Sequence, residues 1–292
     1  MHTTTLKQLL TSLFSLFLIA SISLSCVQMA SAQTKSDDDK LLEAARDGHS
    51  LVLSTLLKSG ANPLWRDKDG YDAFDYAIER HQIAISELLL MHALELTISN
   101  DAERQYVNAY LHHTTLPSGV VTMPVKIALM RVFANQGKTK EVFQLIQTGL
   151  PLDAGAESGY TALSLAVRWQ HRELVTRLLD AGANPNQHTH SCYQTTPLME
   201  ASRDGNVAIA KQLISKGAKV NAPDKFGDHA LNWAAFFGHL EFSELLLAHG
   251  ADLTRTGQTD DNALDVAIRQ GHSKLIALLK NAGAKPHLKK AQ

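Results

Sequence analysis

The chain is poor in cysteine and in aromatic residues, and neither sign of charge dominates. Its 292 residues include two cysteines and 6% aromatic residues, and the formal net charge is −1. No long run of lysine and arginine occurs, which disfavours nucleic acid as a partner because phosphate binding needs clustered cations. The G-x-S-x-G, P-loop, H-E-x-x-H and C-x-x-C motifs are all missing, so nothing in the sequence predicts an enzyme.

The first 32 residues have the pattern of a secretory signal peptide. Lys7 supplies positive charge, residues 9–24 are apolar apart from serine and threonine, and residues 30–32 form an Ala-Ser-Ala cleavage site. The apolar run is shorter than the roughly 20 residues that span a membrane. We therefore expect export to the bacterial periplasm. A lipid anchor at Cys26 is a less favoured alternative, because Ser23 stands where lipoproteins carry an aliphatic residue.

Glycine recurs at a nearly constant spacing in the second half of the chain. Five glycines, separated by 33, 35, 33 and 33 residues, close successive units: Gly149, Gly182, Gly217, Gly250 and Gly283. A period near 33 indicates a solenoid, in which each unit buries its apolar face against its neighbours. Residues 224–253 show the unit most clearly, as a turn, a short apolar helix, a break at Gly238 and a second apolar helix.

This unit resembles an ankyrin repeat, which is a turn followed by two antiparallel helices. Thr196, Pro197 and Leu198 match the start of the family's Thr-Pro-Leu-His pattern, although Met199 replaces the histidine. Asp, Thr or Asn opens the corresponding helix in other units, and each of these residues can cap a helix. The resemblance implies an all-α solenoid of about seven helix-turn-helix units with short hairpin-like loops. It also implies a non-catalytic role in binding proteins.

The spacing predicts seven repeats and one insertion. The repeats cover residues 37–66, 67–96, 124–156, 157–189, 192–223, 224–256 and 257–286. The insertion covers residues 97–123, with a short helix expected from Asn100 or Asp101 to Leu111. Two interpretations stay open: a surface insertion that closes at little entropic cost, or a partner-specific lid, because long loops in compact domains are often functional.

The resemblance further implies that a partner binds the hairpin tips and the concave face of the first helices. Most residues before the inter-helix breaks are polar, but three are aromatic and two arginines lie near them, which is the composition of a binding hot spot. The candidate partner-binding residues are Trp169, Phe236, Phe237, Arg168, Arg203, Tyr160 and Phe226. We expect Trp169 to be exposed. For Phe236 and Phe237, packing between repeats is an equal alternative.

A second hypothesis concerns His188, His190 and Cys192. Alternate residues of an extended segment share one face, so two imidazoles and a thiolate could converge on a metal ion. No fourth ligand is evident, and the competing interpretation is an exposed polar loop. No other cofactor is predicted. Histidines that follow the inter-helix breaks are expected to be structural: His49, His171, His239 and His272.

The prediction is thus a protein-binding module of the periplasm, monomeric and without a membrane span after cleavage. Exported bacterial ankyrin proteins resemble two kinds of agent. One neutralises a secreted antibacterial toxin, and the other supports envelope or oxidative-stress protection. The alternative function is a metal- or redox-responsive protein that uses the loop containing Cys192, the only cysteine left after cleavage.

Overall fold

The computed structural model describes residues 36–112, 121–155, 160–189, 193–257 and 259–287. Across these ranges the chain forms fifteen helices and no β-strand, which confirms the all-α prediction. The helices are α1 (Asp37–Asp47), α2 (Ser50–Lys58), α3 (Ala73–Glu79), α4 (Ile83–Thr97), α5 (Asp101–Leu111), α6 (Met123–Asn135), α7 (Thr139–Gln147), α8 (Ala162–Arg168), α9 (Arg172–Asp180), α10 (Pro197–Arg203), α11 (Val207–Ser215), α12 (Ala230–Phe237), α13 (Leu240–Ala248), α14 (Ala263–Gln270) and α15 (Ser273–Asn281).

Apart from α5, these helices form seven antiparallel pairs. A polar residue caps the first helix of most pairs by accepting a hydrogen bond from a backbone N–H of the first turn, which satisfies a donor that the helix leaves unpaired. The capping residues are Ser36, Asp72, Thr161, Thr196 and Asn262. None of the helices in the described ranges is long and apolar enough to cross a membrane.

A residue in the left-handed conformation separates the two helices of each pair. Glycine takes this position in five pairs, whereas His81 and Gln170 take it at φ angles of 57° and 59° in the second and fourth. At Gly205 two requirements coincide. Its φ is +68°, and a Cβ atom there would lie 2.5 Å from Nδ1 of His239. Only glycine meets both the backbone and the space requirement.

The histidines after the breaks tie each repeat to the one before it. The Nε2 atoms of His171, His239 and His272 lie 2.9, 3.0 and 3.1 Å from backbone carbonyl oxygens 36 residues earlier. A carbonyl can only accept, so Nε2 is the donor in each case. These three histidines are therefore structural, as predicted. His49 lies in the first described repeat, and its structural role stays a prediction.

The stack is regular from repeat four to repeat seven. Helices α8, α10, α12 and α14 contact one another in order, and α9, α11, α13 and α15 form the second layer. Between repeats two and three the order changes, because the main contact joins α4 to α6. Most buried apolar residues of α1 to α4 accordingly form a small core of their own, whereas Ile78, Leu90 and Leu94 belong to the large core. Phe74 packs against both cores.

The predicted short helix of the insertion is α5. Asn100 caps it by accepting from the Glu103 backbone N–H at 3.0 Å. The buried Glu103 carboxylate accepts from the backbone N–H groups of Ser99 and Thr122 at 2.9 and 3.1 Å. Both ends of the described insertion are thus tied to α5. Residues 113–120 lie outside the described ranges.

Candidate interaction surface

The concave groove of repeats four and five is filled by the second repeat of the same chain. Arg168 donates a hydrogen bond from Nη2 to the Ile78 carbonyl, 90 residues earlier. Arg203 donates from Nη2 to the Glu79 carbonyl, 124 residues earlier. Both carbonyls belong to the last turn of α3, where unpaired carbonyl groups favour a nearby cation. Helix α3 therefore occupies the place where the family resemblance put a partner.

Arg168 is consequently buried, although we predicted it at the rim of a partner site. Its Nη1 atom lies 3.5 Å from both the Glu200 and the Asp204 carboxylates. Burial lowers the pKa of Arg168, and the charge of Glu200 opposes that shift. The expectation of an exposed rim residue is wrong because α3 covers the guanidinium. Arg168 instead holds a buried ionic cluster between repeats.

The structure also contradicts the expected exposure of Trp169 and Tyr160. Trp169 is 9% exposed, and its indole N–H donates to the Asn135 side-chain oxygen at 2.6 Å. Tyr160 is 4% exposed, and its hydroxyl donates to Asp75 at 3.3 Å. Both rings fill the junction between the early and the late repeats. They serve internal packing, so they are unavailable to a partner.

Phe236 and Phe237 are exposed, by 48% and 38% respectively. They form the last residues of α12, and their ring centroids lie 5.0 Å apart in an edge-to-face arrangement. The covering segment stops short of them, because α3 ends at Glu79 beside Arg203. The two rings thus lie where the filled part of the groove gives way to open surface.

These rings border a cleft of about 260 Å³, which we call the aromatic cleft. It is lined by Glu79, Tyr193, Arg203, Asp228, Asn232, Trp233, Phe236, Phe237, Thr259, Val266 and Arg269. The Trp233 indole N–H donates to Asp224 at 3.1 Å, and the ring meets Tyr193 edge-on at 5.4 Å. Phe226 extends the aromatic series at the repeat tip, with its ring 5.6 Å from that of Tyr193.

Charges of both signs line the aromatic cleft. The Arg203 guanidinium lies 6.0 Å from the Phe237 ring centroid, and Arg269 forms an ion pair with Asp261. Burial, and after it the charge of Asp224, raises the pKa of Asp228 to about 6, so that its carboxyl group is mostly ionised at neutral pH. Sequence reasoning missed Asp228 and treated Glu79 as an ordinary polar residue of the groove, because the cleft exists only once α3 docks on repeat five.

The hypothesis of a metal site at His188, His190 and Cys192 stays a prediction. Nδ1 of His188 lies 2.6 Å from the Gln194 carbonyl oxygen, so one ring nitrogen is already bonded. His190 and Cys192 lie outside the described residues. Within the described parts of the chain, no three His, Cys, Asp or Glu side chains are grouped to hold a metal ion.

The paired helices, the left-handed breaks and the histidine bonds at a spacing of 36 residues define a helical repeat solenoid. Residues 158–190 match the model of the ankyrin repeat, and residues 178–257 and 198–290 match the model of three successive ankyrin repeats. The chain belongs to the ankyrin repeat family. Its fold is the solenoid that the glycine spacing predicted, built from the helix pairs that the resemblance to ankyrin repeats implied.

Several curated proteins are similar to parts of the chain. An inactive serine/threonine-protein kinase, TEX14 of Mus musculus, is 30% identical over 112 residues, which are 38% of this chain and 8% of that protein. The ankyrin repeat domain-containing protein SAT10 of Stachybotrys chartarum is 26% identical over 225 residues, 69% of this chain and 11% of SAT10. An ankyrin repeat protein of Escherichia coli (strain K12) is 27% identical over 107 residues, 37% of this chain and 52% of that protein.

The chain thus spans about half or less of the length of these relatives. What it shares with them is the repeat. Ankyrin repeats are protein–protein interaction modules, and the fold is generally a non-catalytic scaffold. Protein partners are therefore the class of ligand that the family indicates.

Proposed function

We propose that the chain is exported to the bacterial periplasm and there binds a protein partner through the aromatic cleft. The observation that carries this proposal is the pair of exposed rings, Phe236 and Phe237, side by side at the cleft edge. Large aromatic side chains next to arginine are typical of the residues that dominate binding energy in interfaces. The half-buried Phe226 and Tyr193 lie on the side of the cleft near the repeat tip.

Helix α12 presents the two rings on a rigid support. His239, which follows α12, donates to the carbonyl of Arg203 in the preceding repeat. The carbonyl of Phe236, in the last turn of α12, accepts from His272 of the following repeat. Gly238 closes the helix in the left-handed conformation. A surface that is already ordered loses little conformational entropy on binding, which favours rigid-body recognition.

The surface proposed here is smaller than the sequence suggested. Trp169, Arg168 and Tyr160 drop out because they are buried between repeats, and Arg203 contributes only from the edge of the cleft. The remaining surface comprises repeats five to seven together with the C-terminal end of α3. A partner would thus contact residues that are far apart in the sequence.

Export rests on the signal-peptide pattern of residues 1–32, which lie outside the described ranges. Two roles fit an exported binding module, namely neutralising an antibacterial toxin and accessory protection of the envelope against oxidative stress. A neighbouring toxin gene supports the first role, and a neighbouring catalase or peroxidase gene supports the second. Fusion of residues 1–36 to a reporter that is active only in the periplasm tests export directly.

A crosslinked capture from envelope extract tests binding, with residues 33–292 as bait. The test variant is Phe236→Ala with Phe237→Ala. The matched control is Leu51→Ala with Leu64→Ala, which removes two apolar side chains that are 81% and 75% exposed in the first repeat. Truncating a hot-spot residue costs about 2 kcal/mol or more, or about 30-fold in affinity.

We expect one protein to be captured by the parent chain and by the control, and to be lost with the test variant. Circular dichroism confirms that each bait is folded. Equal capture by the test variant and the parent chain would rule out the aromatic cleft as the binding surface.

A further inference from the structure

Both cations that line the aromatic cleft are already bound within the chain. Arg203 donates to the Glu79 carbonyl and lies over the Phe237 ring. Arg269 is ion-paired with Asp261. An acidic group of a partner would have to displace one of these contacts, so the cleft is poorly prepared for an anion.

The acceptors of the cleft have room for further donors. The Glu79 carboxylate forms no ion pair with any of the described residues. The Asp228 carboxylate accepts a hydrogen bond from the Asn232 side chain and is attracted by the charge of Arg269, but it too forms no ion pair with the described residues. Asn232 is only 3% exposed, and its Oδ1 atom accepts no hydrogen bond within the described structure. Its amide nitrogen donates to the Asp261 carbonyl at 3.3 Å, which identifies Oδ1 as the unpaired end.

His229, three residues earlier, does not supply the missing donor. Its Nε2 atom bonds to the Asp252 carbonyl at 3.0 Å and therefore carries the ring hydrogen. Burial lowers the pKa of His229, and the Asn232 side chain beside the ring opposes that shift. A neutral imidazole with its hydrogen on Nε2 has none to give from Nδ1. A buried acceptor left without a donor destabilises the fold, and a ligand with N–H groups would recover that loss.

The wall beside these acceptors is aromatic. The ring centroid of Phe237 lies 6.5 Å from that of Trp233 and 5.0 Å from that of Phe236, so the three rings form one series. Ring faces attract a positive charge, and tryptophan does so most strongly. The aliphatic stem of a lysine or arginine also packs well on such rings while its charged end reaches polar groups.

From the two carboxylates without an ion pair, the bound cations and the aromatic wall, we infer that the aromatic cleft takes a lysine or arginine side chain of the protein partner. Glu79, Asp228 and Oδ1 of Asn232 accept its N–H groups, and the rings of Trp233 and Phe237 cover its stem. This inference rests on the proposed function, and it specifies the chemistry that the partner must present. The ligand expected in the aromatic cleft is a basic segment on the surface of a protein.

The chain offers a built-in probe, because its three tryptophans lie in different places. Trp233 lines the cleft, Trp65 belongs to the first repeat, and Trp169 is buried at the repeat junction. The experiment is an NMR titration of the ¹⁵N-labelled indole groups in residues 33–292. The probes are the peptides acetyl-Gly-Arg-Gly-amide, the same peptide with citrulline, which has the shape of arginine without its charge, and the same peptide with glutamate. Each is added to about 10 mM, enough to detect millimolar affinity.

We expect the arginine peptide to move the Trp233 signal and to leave those of Trp65 and Trp169 in place. Citrulline should bind at least about 10-fold more weakly, because it lacks the charge that the rings and the carboxylates attract. Glutamate should produce no shift. Equal responses to arginine and citrulline, a response to glutamate, or an unmoved Trp233 signal would each overturn the inference.

Two variants complete the test. Glu79→Gln with Asp228→Asn keeps the shape of the cleft and removes its unpaired charges, so it should abolish the arginine response. Glu173→Gln with Glu241→Gln removes two exposed carboxylates from second-layer helices and should leave the response unchanged. An arginine response that persists in the first variant contradicts the assignment of Glu79 and Asp228.

The same variants separate this inference from the proposed function. Suppose a captured partner is lost with the Phe236 and Phe237 substitutions but kept with Glu79→Gln and Asp228→Asn. The cleft is then the binding surface, and the cationic ligand is wrong. If neither pair of substitutions affects capture, the proposed function fails, while the titration still decides which side chain the cleft accepts.

Discussion

The Arg203 guanidinium binds the backbone carbonyl of Glu79, 124 residues earlier in the chain. In most repeat arrays each unit contacts only its neighbours. This hydrogen bond instead joins repeat five to repeat two. It also marks the point where α3 stops filling the groove and the aromatic cleft begins. The position of one helix end therefore decides which groove residues are buried and which remain open.

The buried charge of Arg168 should be necessary for stability. Arg168→Ala would leave Glu200 and Asp204 buried together without a cation, and breaking a buried pair in this way costs about 3–5 kcal/mol. Urea unfolding measures the loss. Adding Glu200→Gln and Asp204→Asn should restore part of it. Arg172→Ala, at an exposed position of α9, is the control and should change stability by less than about 0.5 kcal/mol.

Gly205 and Gly250 allow the backbone and the contact contributions to be separated. Both have positive φ angles, but a Cβ atom at Gly205 would clash with His239, whereas nothing lies within 4 Å at Gly250. Gly250→Ala should cost about 1–2 kcal/mol, from the left-handed backbone alone. Gly205→Ala should cost clearly more, as measured by thermal unfolding. Combining Gly205→Ala with His239→Ala removes the clash, so the double variant should lose less stability than the sum of the two single losses. A loss equal to or larger than that sum would contradict this account.

Trp169 should affect folding more than partner binding. Trp169→Ala removes a buried ring and should lower the free energy of unfolding by about 3–5 kcal/mol. Trp169→Phe keeps most of the packing but leaves Asn135 without its indole donor, so a loss of about 1–3 kcal/mol is expected. Under conditions where the variants remain folded, their affinity for a captured partner should equal that of the parent chain. Weaker binding by folded Trp169→Phe would argue against this assignment.

The pH dependence of stability should report on Asp75. Burial and the charge of Asp72 raise the pKa of Asp75 to about 7, whereas an unfolded aspartate titrates near 3.9. Between about pH 4 and pH 7, Asp75 therefore stays protonated in the folded chain and is ionised in the unfolded chain. The resulting stability is complete below about pH 4 and disappears as the pH rises through about 7.

Asp75→Asn cannot ionise, so its unfolding free energy should fall less between pH 5 and pH 8 than that of the parent chain. The difference should be on the order of 1–3 kcal/mol. Denaturant midpoints at several pH values measure it. Asp69→Asn, at an exposed position in the same repeat, should keep the parent's pH dependence. Parallel curves for Asp75→Asn and the parent would show that Asp75 is ionised throughout this range.

The local features of the fold were predictable because each depends on a few neighbouring residues. Gly238 and Gly271 predict breaks between helices, and Thr196 and Asn262 predict helix starts, since capping and left-handed backbone are properties of short segments. The histidine positions followed from the same repetition. These features suffice to identify the solenoid.

The placement of α3 was not predictable in this way. Arg168, Arg203 and Arg269 precede the breaks of their own repeats in similar positions, yet the first is fully buried and the other two border the aromatic cleft. Their difference arises from a segment about 90 to 124 residues away. The irregular spacing after repeat two indicated that the stack is interrupted there. The spacing does not show where the preceding helices pack, so it could not predict that α3 lies in the groove.

The bond between Arg203 and Glu79 also affects how the molecule is made. A ribosome adds about 5–20 residues per second, so about 6–25 s separate the synthesis of Glu79 from that of Arg203, 124 residues later. During that interval the groove-facing side of α3 is uncovered, however well its own repeat has formed. The earliest part of this solenoid is therefore among the last to reach its final contacts, and such a delay keeps the growing chain unfinished until most of it has been synthesised.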